Sequence, residues 1–387
     1  MAKKNARGAG TIRQRKDGRW EARYTVGRDP GTGKQIQKSI YGKTQQEVRQ
    51  KLQAVTSSID TGTYIEPMHL TVGQWGDIWI KEYCGNVKAG TIKVYRSYLK
   101  NHIKPAIGHI KLQNLGGHAI QTFYNALSRG DTSTGNKITA RTIEGIHNVL
   151  HSLLEQAVIL GYLHNNPTRF CKIPKPENKE MNPLDEQQII DFVKVIQGDR
   201  FERIFKLALF TGMRQSEIIG LSWDTVDFEN GTITVKQQLP YISGECVLTT
   251  PKNGKPRTLT PAPSVMKMLR DQRHNQKEMR LFAGQAWNNK MNLVFTNEIG
   301  EHIRHDTVRN HLKRILESIG VEKVRFHDLR HTYAVASLQA GDSVKTVQEN
   351  LGHHTAAFTL DRYAHVTDKM RRDSAERMEE YILSIGK

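Results

Sequence analysis

The chain has no run approaching the roughly 18 apolar residues of a membrane helix, so a membrane span is not expected. It is poor in cysteine. Cys84, Cys171 and Cys246 are odd in number and far apart, which excludes a disulfide framework and a zinc module and makes a reducing cytoplasm the expected setting. The start, MAKKNARGAG, is basic with no apolar segment after it, so an ordinary secretory signal is not expected. There is no internal repeat. Acidic residues are in deficit: 39 Asp and Glu face 57 Lys and Arg, a net charge of +18. That imbalance suggests a polyanionic partner, nucleic acid before an anionic membrane, with a plain solubility bias as the bland alternative. The excess is uneven. Residues 1–60 carry +9, residues 61–180 carry +6, and the remaining 207 carry only +3. Charge is thus concentrated at the front, ahead of a less basic folded part.

What is present suffices for real cores. The 387 residues are 37% hydrophobic and 25% charged, and the length suits two or three domains. After residues 1–9, GTIRQRKDGRWEARYTVG reads as a hairpin turning at Asp17-Gly18, with Trp20, Ala22, Tyr24 and Val26 alternating onward. RDPGTGK turns into the strand QIQKSIYG. TQQEVRQKLQAV then reads as a helix with Thr44 as N-cap and Glu47 three residues later. The result is a three-stranded sheet plus helix over residues 1–65. Arg13, Arg15, Lys16, Arg19 and Arg23 stud it, and an Arg-rich ribbon can enter a major groove. The alternative is an edge charged against aggregation.

TGTYIEPMHL reads as a linker, and residues 71–171 as a helical bundle. Trp75, Ile78, Trp79 and Tyr83 are spaced for one face. Thr91 reads as the cap of a second helix. Ile143, Ile146, Leu150, Leu153, Leu154 and Ala157 mark a long later one. Lys88, Lys93, Arg96, Lys100 and Lys104 crowd the second helix, either solvated or laid along phosphates. KIPKPENKEMNP, residues 172–183, is the clearest linker. Beyond it, residues 184–387 read as a mainly α mixed domain with a small antiparallel sheet. GTITVKQQL and VLTTPKNGKPRTLTP supply the strands, and the texture from Ser264 onward is helical.

Four stretches in this last part could carry chemistry. FTGMRQSEIIGLSW places Arg214 after Thr211-Gly212, at a helix start. TPKNGKPRTL places Lys252 at a turn, with Lys255 on the same turn. RFHDLRHTYA puts His327 and Arg330 on one helical face. LGHHTAAFTLDRYAHV holds His353 and Tyr363. Each also has an ordinary reading. Arg214 could simply pair with Glu217 at i+3, Lys252 could be a loop charge, and His327 could cap or pack. His331 stands at i+4 from His327, a metal-pair spacing, but the motif is HDLRH rather than HExxH and Arg330 would set a cation between the ligands. No metal and no cofactor are expected.

Together the stretches resemble the tyrosine recombinases, the phage integrase family, from about Pro183 to Tyr363. Arg, Lys, His-x-x-Arg, Leu-Gly-His and Tyr stand in that family's order and spacing. The look is similar to integrases of conjugative transposons and of phages from Gram-positive bacteria. The resemblance implies an active site of Arg214, Lys252, His327, Arg330, His353 and Tyr363. Lys252 is the softest member, because Lys255 lies so near. It extends less specifically to the front of the chain, implying an arm-type DNA-binding domain over 1–65 and a core-binding domain over 71–171. It implies a site-specific recombinase that integrates and excises a mobile element through a 3′-phosphotyrosine. The expected partners are double-stranded DNA at core and arm-type sites, a tetramer of this chain on DNA, an excision or directionality factor and a host DNA-bending protein.

The residue types suit that reaction. Attack by a tyrosine oxygen on a phosphodiester adds negative charge at phosphorus, and two guanidiniums can clamp the nonbridging oxygens in a fork that lysine cannot copy. Such donors are usually the largest catalytic contribution. Ionising a tyrosine of pKa ~10 at pH 7 costs about 4 kcal/mol, which neighbouring cations would reduce. The family's chemistry gives the histidines phosphate contact and proton handling, and gives Lys252 protonation of the leaving 5′-oxygen. The energy of the phosphodiester is kept in the phosphotyrosine, so rejoining needs no ATP. The rivals are a type IB topoisomerase-like relaxing enzyme, a DNA-binding regulator with an inactive recombinase domain, and a metal-dependent nuclease. A separate arm-type module argues against the first, a complete residue set against the second, and EDTA resistance would exclude the third.

Overall fold

The alternation near the N-terminus becomes an antiparallel sheet in the computed structural model, which describes residues 10–131, 135–177, 182–242, 244–251, 254–352 and 367–385. Strands β1 (Thr11–Gln14), β2 (Trp20–Arg28) and β3 (Gln35–Gly42) run in that spatial order. Gly18 takes φ 81 in the first turn, a conformation that suits glycine. Helix α1 (Gln45–Asp60) starts where Thr44 Oγ1 accepts from Glu47 N at 3.2 Å. Its Val48 and Leu52 pack against Ala22 and Tyr24 on the inner face of the sheet.

The bundle follows within the same compact unit, Met1–Asn178. Its helices are α2 (Val72–Glu82), α3 (Ala89–Tyr98), α4 (Lys104–Ile107), α5 (Gly117–Arg129) and α6 (Ala140–Ile159). Thr71 and Gln74 form a capping box at the start of α2. Helix α3 begins two residues before Thr91, because the Lys88 carbonyl accepts from both Thr91 N and Ile92 N; the expected Thr91 cap lies inside the helix. A π-helical turn, Leu99–Ile103, joins α3 to α4. Every apolar position expected on α6 is buried, each Leu or Ile contributing about 1.5–3 kcal/mol. Trp75 is buried with its Nε1 donating to Leu153 O at 2.8 Å, whereas Ile78 stays in solvent, so the apolar face of α2 is narrower than its spacing suggested. The 61–70 stretch has no regular structure but is anchored. Tyr64 sets its hydroxyl 3.0 Å from that of Tyr24, and Gln113 donates to Glu66 O at 2.8 Å.

The second unit, Lys179–Lys387, is mostly helical. The division falls inside the proline-rich 172–183 stretch. Its elements are α7 (Glu186–Val195), α8 (Glu202–Thr211), α9 (Gln215–Ile219), β4 (Val226–Asp227), β5 (Thr232–Val235), β6 (Tyr241–Ile242), β7 (Glu245–Cys246), β8 (Arg257–Leu259), α10 (Pro263–Ala283), α11 (His305–Ser318), α12 (Phe326–Gln339), α13 (Val344–Leu351) and α14 (Thr367–Ile385). Strands β4, β5 and β8 make a small antiparallel sheet, and β6 pairs with β7. The VLTTPKNGKPRTLTP run gives only β8 and one bridge from Thr249 to Gln238 among the described residues, as Pro251 and Pro256 have no N–H for a ladder. Phe192, Phe205 and Phe326 pack at the centre, bringing α8 against α12. The architecture is the one read from the sequence: a three-stranded sheet with a helix, a helical bundle, and a mainly helical part with a small antiparallel sheet. Among the described residues no helix is long and apolar enough to cross a membrane.

Candidate active site

The site is built around the end of α8. Gly212 stops that helix in the left-handed region, φ 64, and a Cβ on it would stand 2.5 Å from Tyr333 Cδ1. Only glycine allows the chain to turn there against the Tyr333 ring. The turn delivers Arg214 to the N-terminus of α9. Arg214 N donates to Glu217 Oε2 at 2.9 Å, and its Nη1 donates to Oε1 at 2.7 Å. The ordinary i+3 pairing therefore exists, but it uses one of five guanidinium N–H donors. Glu217 is 0% exposed and takes a second guanidinium, Arg257 on β8, through Nη1 at 3.0 Å and Nη2 at 2.6 Å. Burial would raise the Glu217 pKa; the hydrogen bond and charge of Arg257, then the charge of Arg214, outweigh it and hold the pKa at about 2. The carboxylate stays ionised and fixes both arginines.

Helix α12 supplies the other half. Arg325 caps it, donating from N at 2.7 Å and from Nε at 3.0 Å to Asp328 Oδ2. Arg330, one turn further, is 2% exposed; its Nη1 donates to Gly212 O at 2.6 Å and its Nη2 to Leu351 O. Arg257 Nε donates to the adjacent Asn350 O at 2.8 Å. Two guanidiniums thus meet the carbonyl end of α13, where the helix dipole favours cations. Tyr333 packs, its hydroxyl accepting from Asn350 Nδ2 at 2.9 Å.

Arg214 and His327 line one open cleft of about 600 Å³ with Tyr241, His305, Arg309 and Arg325. His327 is exposed on α12 where it lines the cleft. The protein packed around it, then the His331 ring 4.9 Å away and the Arg330 and Arg214 cations, still push its pKa down to about 4. The imidazole is neutral at pH 7 before any phosphate arrives. Followed by NMR in the DNA-free protein, its Cε1–H should titrate well below the usual 6.5, and Arg214→Ala should raise that midpoint by removing a cation. A midpoint near 6.5, unmoved in the variant, would refute this electrostatic account.

Lys252, His353 and Tyr363 lie outside the described residues. In sequence His353 stands two positions after Leu351, whose carbonyl Arg330 holds. Lys255 is exposed, two residues before Arg257. Sequence reasoning missed Arg257, Arg325, His305 and Arg309 and saw in Glu217 only a partner for Arg214. The charge of Arg257 in GKPRTL was the available signal. Among the described residues no group of three or more His, Cys, Asp or Glu gathers to hold a metal.

The expected DNA-contacting cations are exposed. Arg13, Arg15, Lys16, Arg19 and Arg23 surround the first hairpin, with Arg19 paired to Asp17 at 2.7 Å. Lys88, Lys93, Arg96 and Lys100 line α3 and its π-turn, but Lys104 is paired with Asp77 at 2.6 Å.

Residues 179–370 match the phage integrase family, and residues 71–128 match the phage integrase N-terminal SAM-like domain. A tyrosine recombinase XerC-like protein of Caldanaerobacter subterraneus is 30% identical over 382 residues, covering 93% of this chain and 95% of that protein. Among solved structures, the Tn1549 transposon integrase in complex with a circular intermediate DNA superposes with a TM-score of 0.67 at 21% identity, covering 80% of this chain and 99% of that one. A lambda integrase tetramer bound to a Holliday junction gives 0.56 at 18% identity, covering 89% and 96%.

Proposed function

The chain belongs to the phage integrase family of tyrosine recombinases, and on that footing we propose that it is a site-specific DNA recombinase that integrates and excises a mobile element. The observation that carries this reading is that Arg214 and His327 line one cleft while the buried Arg330 is anchored on the Gly212 carbonyl, two residues before Arg214, all within the residues that match the family. Arg214 and Arg330 clamp the nonbridging oxygens of the scissile phosphate. Tyr363 Oη forms a bond to phosphorus, the bond to the 5′-oxygen breaks, and Lys252 gives that oxygen its proton. A 5′-hydroxyl from the partner strand reverses the step. His327 and His353 contact the phosphate and handle protons. The neutral state of His327 lets it donate one N–H and accept at its other nitrogen.

Residues 1–65 grip an arm-type site and residues 71–171 grip the core site, which the exposed cations of the first hairpin and of α3 support. Bridging two sites from one chain raises effective concentration. The working form on DNA is a tetramer. Helix α14 supports this with Met378, Tyr381, Ile382, Leu383 and Ile385 exposed along its end, an apolar surface suited to a neighbouring subunit. An excision factor and a host DNA-bending protein set direction, and the cytoplasm is the place of action. With a nicked suicide duplex in EDTA and no nucleotide, the full chain should leave a covalent adduct at the 3′-phosphate end of the break and a free 5′-hydroxyl on the other fragment. Cleavage that demands Mg²⁺, or a break with free ends, would overturn the phosphotyrosine reading.

A further inference from the structure

The outer face of the N-terminal sheet hides a carboxylate where alternation predicts solvent. Glu21 sits between Trp20 and Ala22, which turn inward toward α1, yet it is 2% exposed. Side chains from all three strands close over it. Arg13, its paired residue on β1, donates to Oε2 from Nε at 2.8 Å, and its Nη2 stands 2.7 Å from the same oxygen as an ion pair. On β3, Ser39 donates to Oε1 at 2.8 Å, and the Tyr41 hydroxyl, from the residue paired with Glu21, lies 3.5 Å from the same oxygen. Arg23 Nε donates to it at 3.3 Å. Arg15 stands over the Tyr41 ring at 5.5 Å, extending the network to the hairpin end. The hydrogen bonds of Ser39 and Arg13 hold the Glu21 carboxyl at about 2, so it is an anion at neutral pH. Arg13 and Arg23 nevertheless keep 57% and 47% of their side chains in solvent.

For a surface that only holds phosphates, a central anion is a handicap, since it cancels a cation and lowers the number of phosphates neutralised. What it supplies is geometry. Arg13 donates its Nε–H to Glu21 and holds its Nη2 beside the same oxygen, and a guanine edge takes two of the remaining N–H donors at O6 and N7. We propose that Glu21 is a specificity-determining residue. It fixes Arg13 and Arg23 so that they read guanines in the major groove of a site separate from the cleavage site. This rests on the reading of residues 1–65 as a second DNA grip and states how that grip discriminates.

The full-length protein is allowed to select duplexes from a random library, and an Arg13→Ala, Arg23→Ala variant repeats the selection. A motif enriched by the first and absent from the second belongs to the sheet. On that motif Glu21→Gln should lower the preference over scrambled duplex about tenfold or more, the scale of one bidentate pair. Scrambled duplex should bind as tightly or more tightly, and its log–log salt dependence should steepen by roughly one unit, because a cation is released from pairing. That sign separates the proposal from simple unfolding, which would weaken both duplexes and flatten the salt dependence. Glu21→Asp keeps the charge but retracts the carboxylate by a methylene, so it should lose the preference without gaining on scrambled DNA. An unchanged preference in Glu21→Gln, or equal weakening on both duplexes, overturns the role of Glu21. If no motif depends on Arg13 and Arg23, the second grip itself is wrong, and the role of Glu21 goes with it.

Discussion

Tyr363→Phe should abolish the covalent protein–DNA adduct while leaving DNA binding almost intact. The substitution removes one hydroxyl and no positive charge, so the electrostatic part of binding is untouched. On the proposed mechanism the chemical step loses its nucleophile, and losses on removing such a group are of the order of 10⁶-fold. The measurement is adduct yield on a nicked duplex beside a binding isotherm on the intact one. Two other tyrosines test the assignment from within. Tyr333 is engaged with Asn350 and packs against Gly212, and Tyr381 stands exposed on α14. An adduct that survives in the Phe variant, or that maps to either of these, would remove Tyr363 from the mechanism.

Arg214→Lys and Arg330→Lys should each lose most cleavage although both keep the charge. An ammonium is a point donor and cannot present two parallel N–H groups to two phosphate oxygens. Losing one such transition-state donor typically costs about 2.7–4 kcal/mol, or 10²–10³-fold. The structure separates the two variants by stability. Glu217 would still be neutralised by Arg257 in Arg214→Lys, so little unfolding penalty is expected there. Arg330 satisfies two carbonyls, Gly212 O and Leu351 O, from a buried position. A lysine there would leave one of them unpaired, at about 1–3 kcal/mol, and each kcal/mol lowers the melting temperature of a domain this size by about 2–4 °C. Cleavage rates and thermal melts of the two variants, taken together, decide the matter. Near wild-type cleavage in both would make these arginines purely structural.

Much of this was legible in the sequence because it is local. Thr44 with Glu47, the alternation of β2, the apolar positions of α6 and the i, i+3 pair His327 and Arg330 all declare themselves within one or two turns of chain. What escaped reading is held by distant partners. Arg257 looks like a loop charge in GKPRTL, and nothing nearby says that it reaches Glu217, 40 residues back, and Asn350, 93 residues on. Alternation alone would send Glu21 to solvent, because the rule counts strand faces but not the length of neighbouring Arg and Tyr side chains that close over it. Thr91 looked like a cap because it is a good one. Ala89 and Gly90 joined the helix anyway, since the Lys88 carbonyl was available one turn before.

The pair of arginines at the end of α13 bears on the timing of entropy loss. A free arginine side chain carries about 2 kcal/mol of rotamer freedom, which a phosphate would have to quench on arrival. Arg330 has already surrendered that freedom to Gly212 O and Leu351 O, and Arg257 to Glu217 and Asn350 O, when the domain folds. The disorder is removed once per molecule at synthesis rather than once per strand exchange. On the proposed mechanism an incoming phosphate would meet a frame that has stopped moving, leaving its own binding energy available for the five-coordinate state.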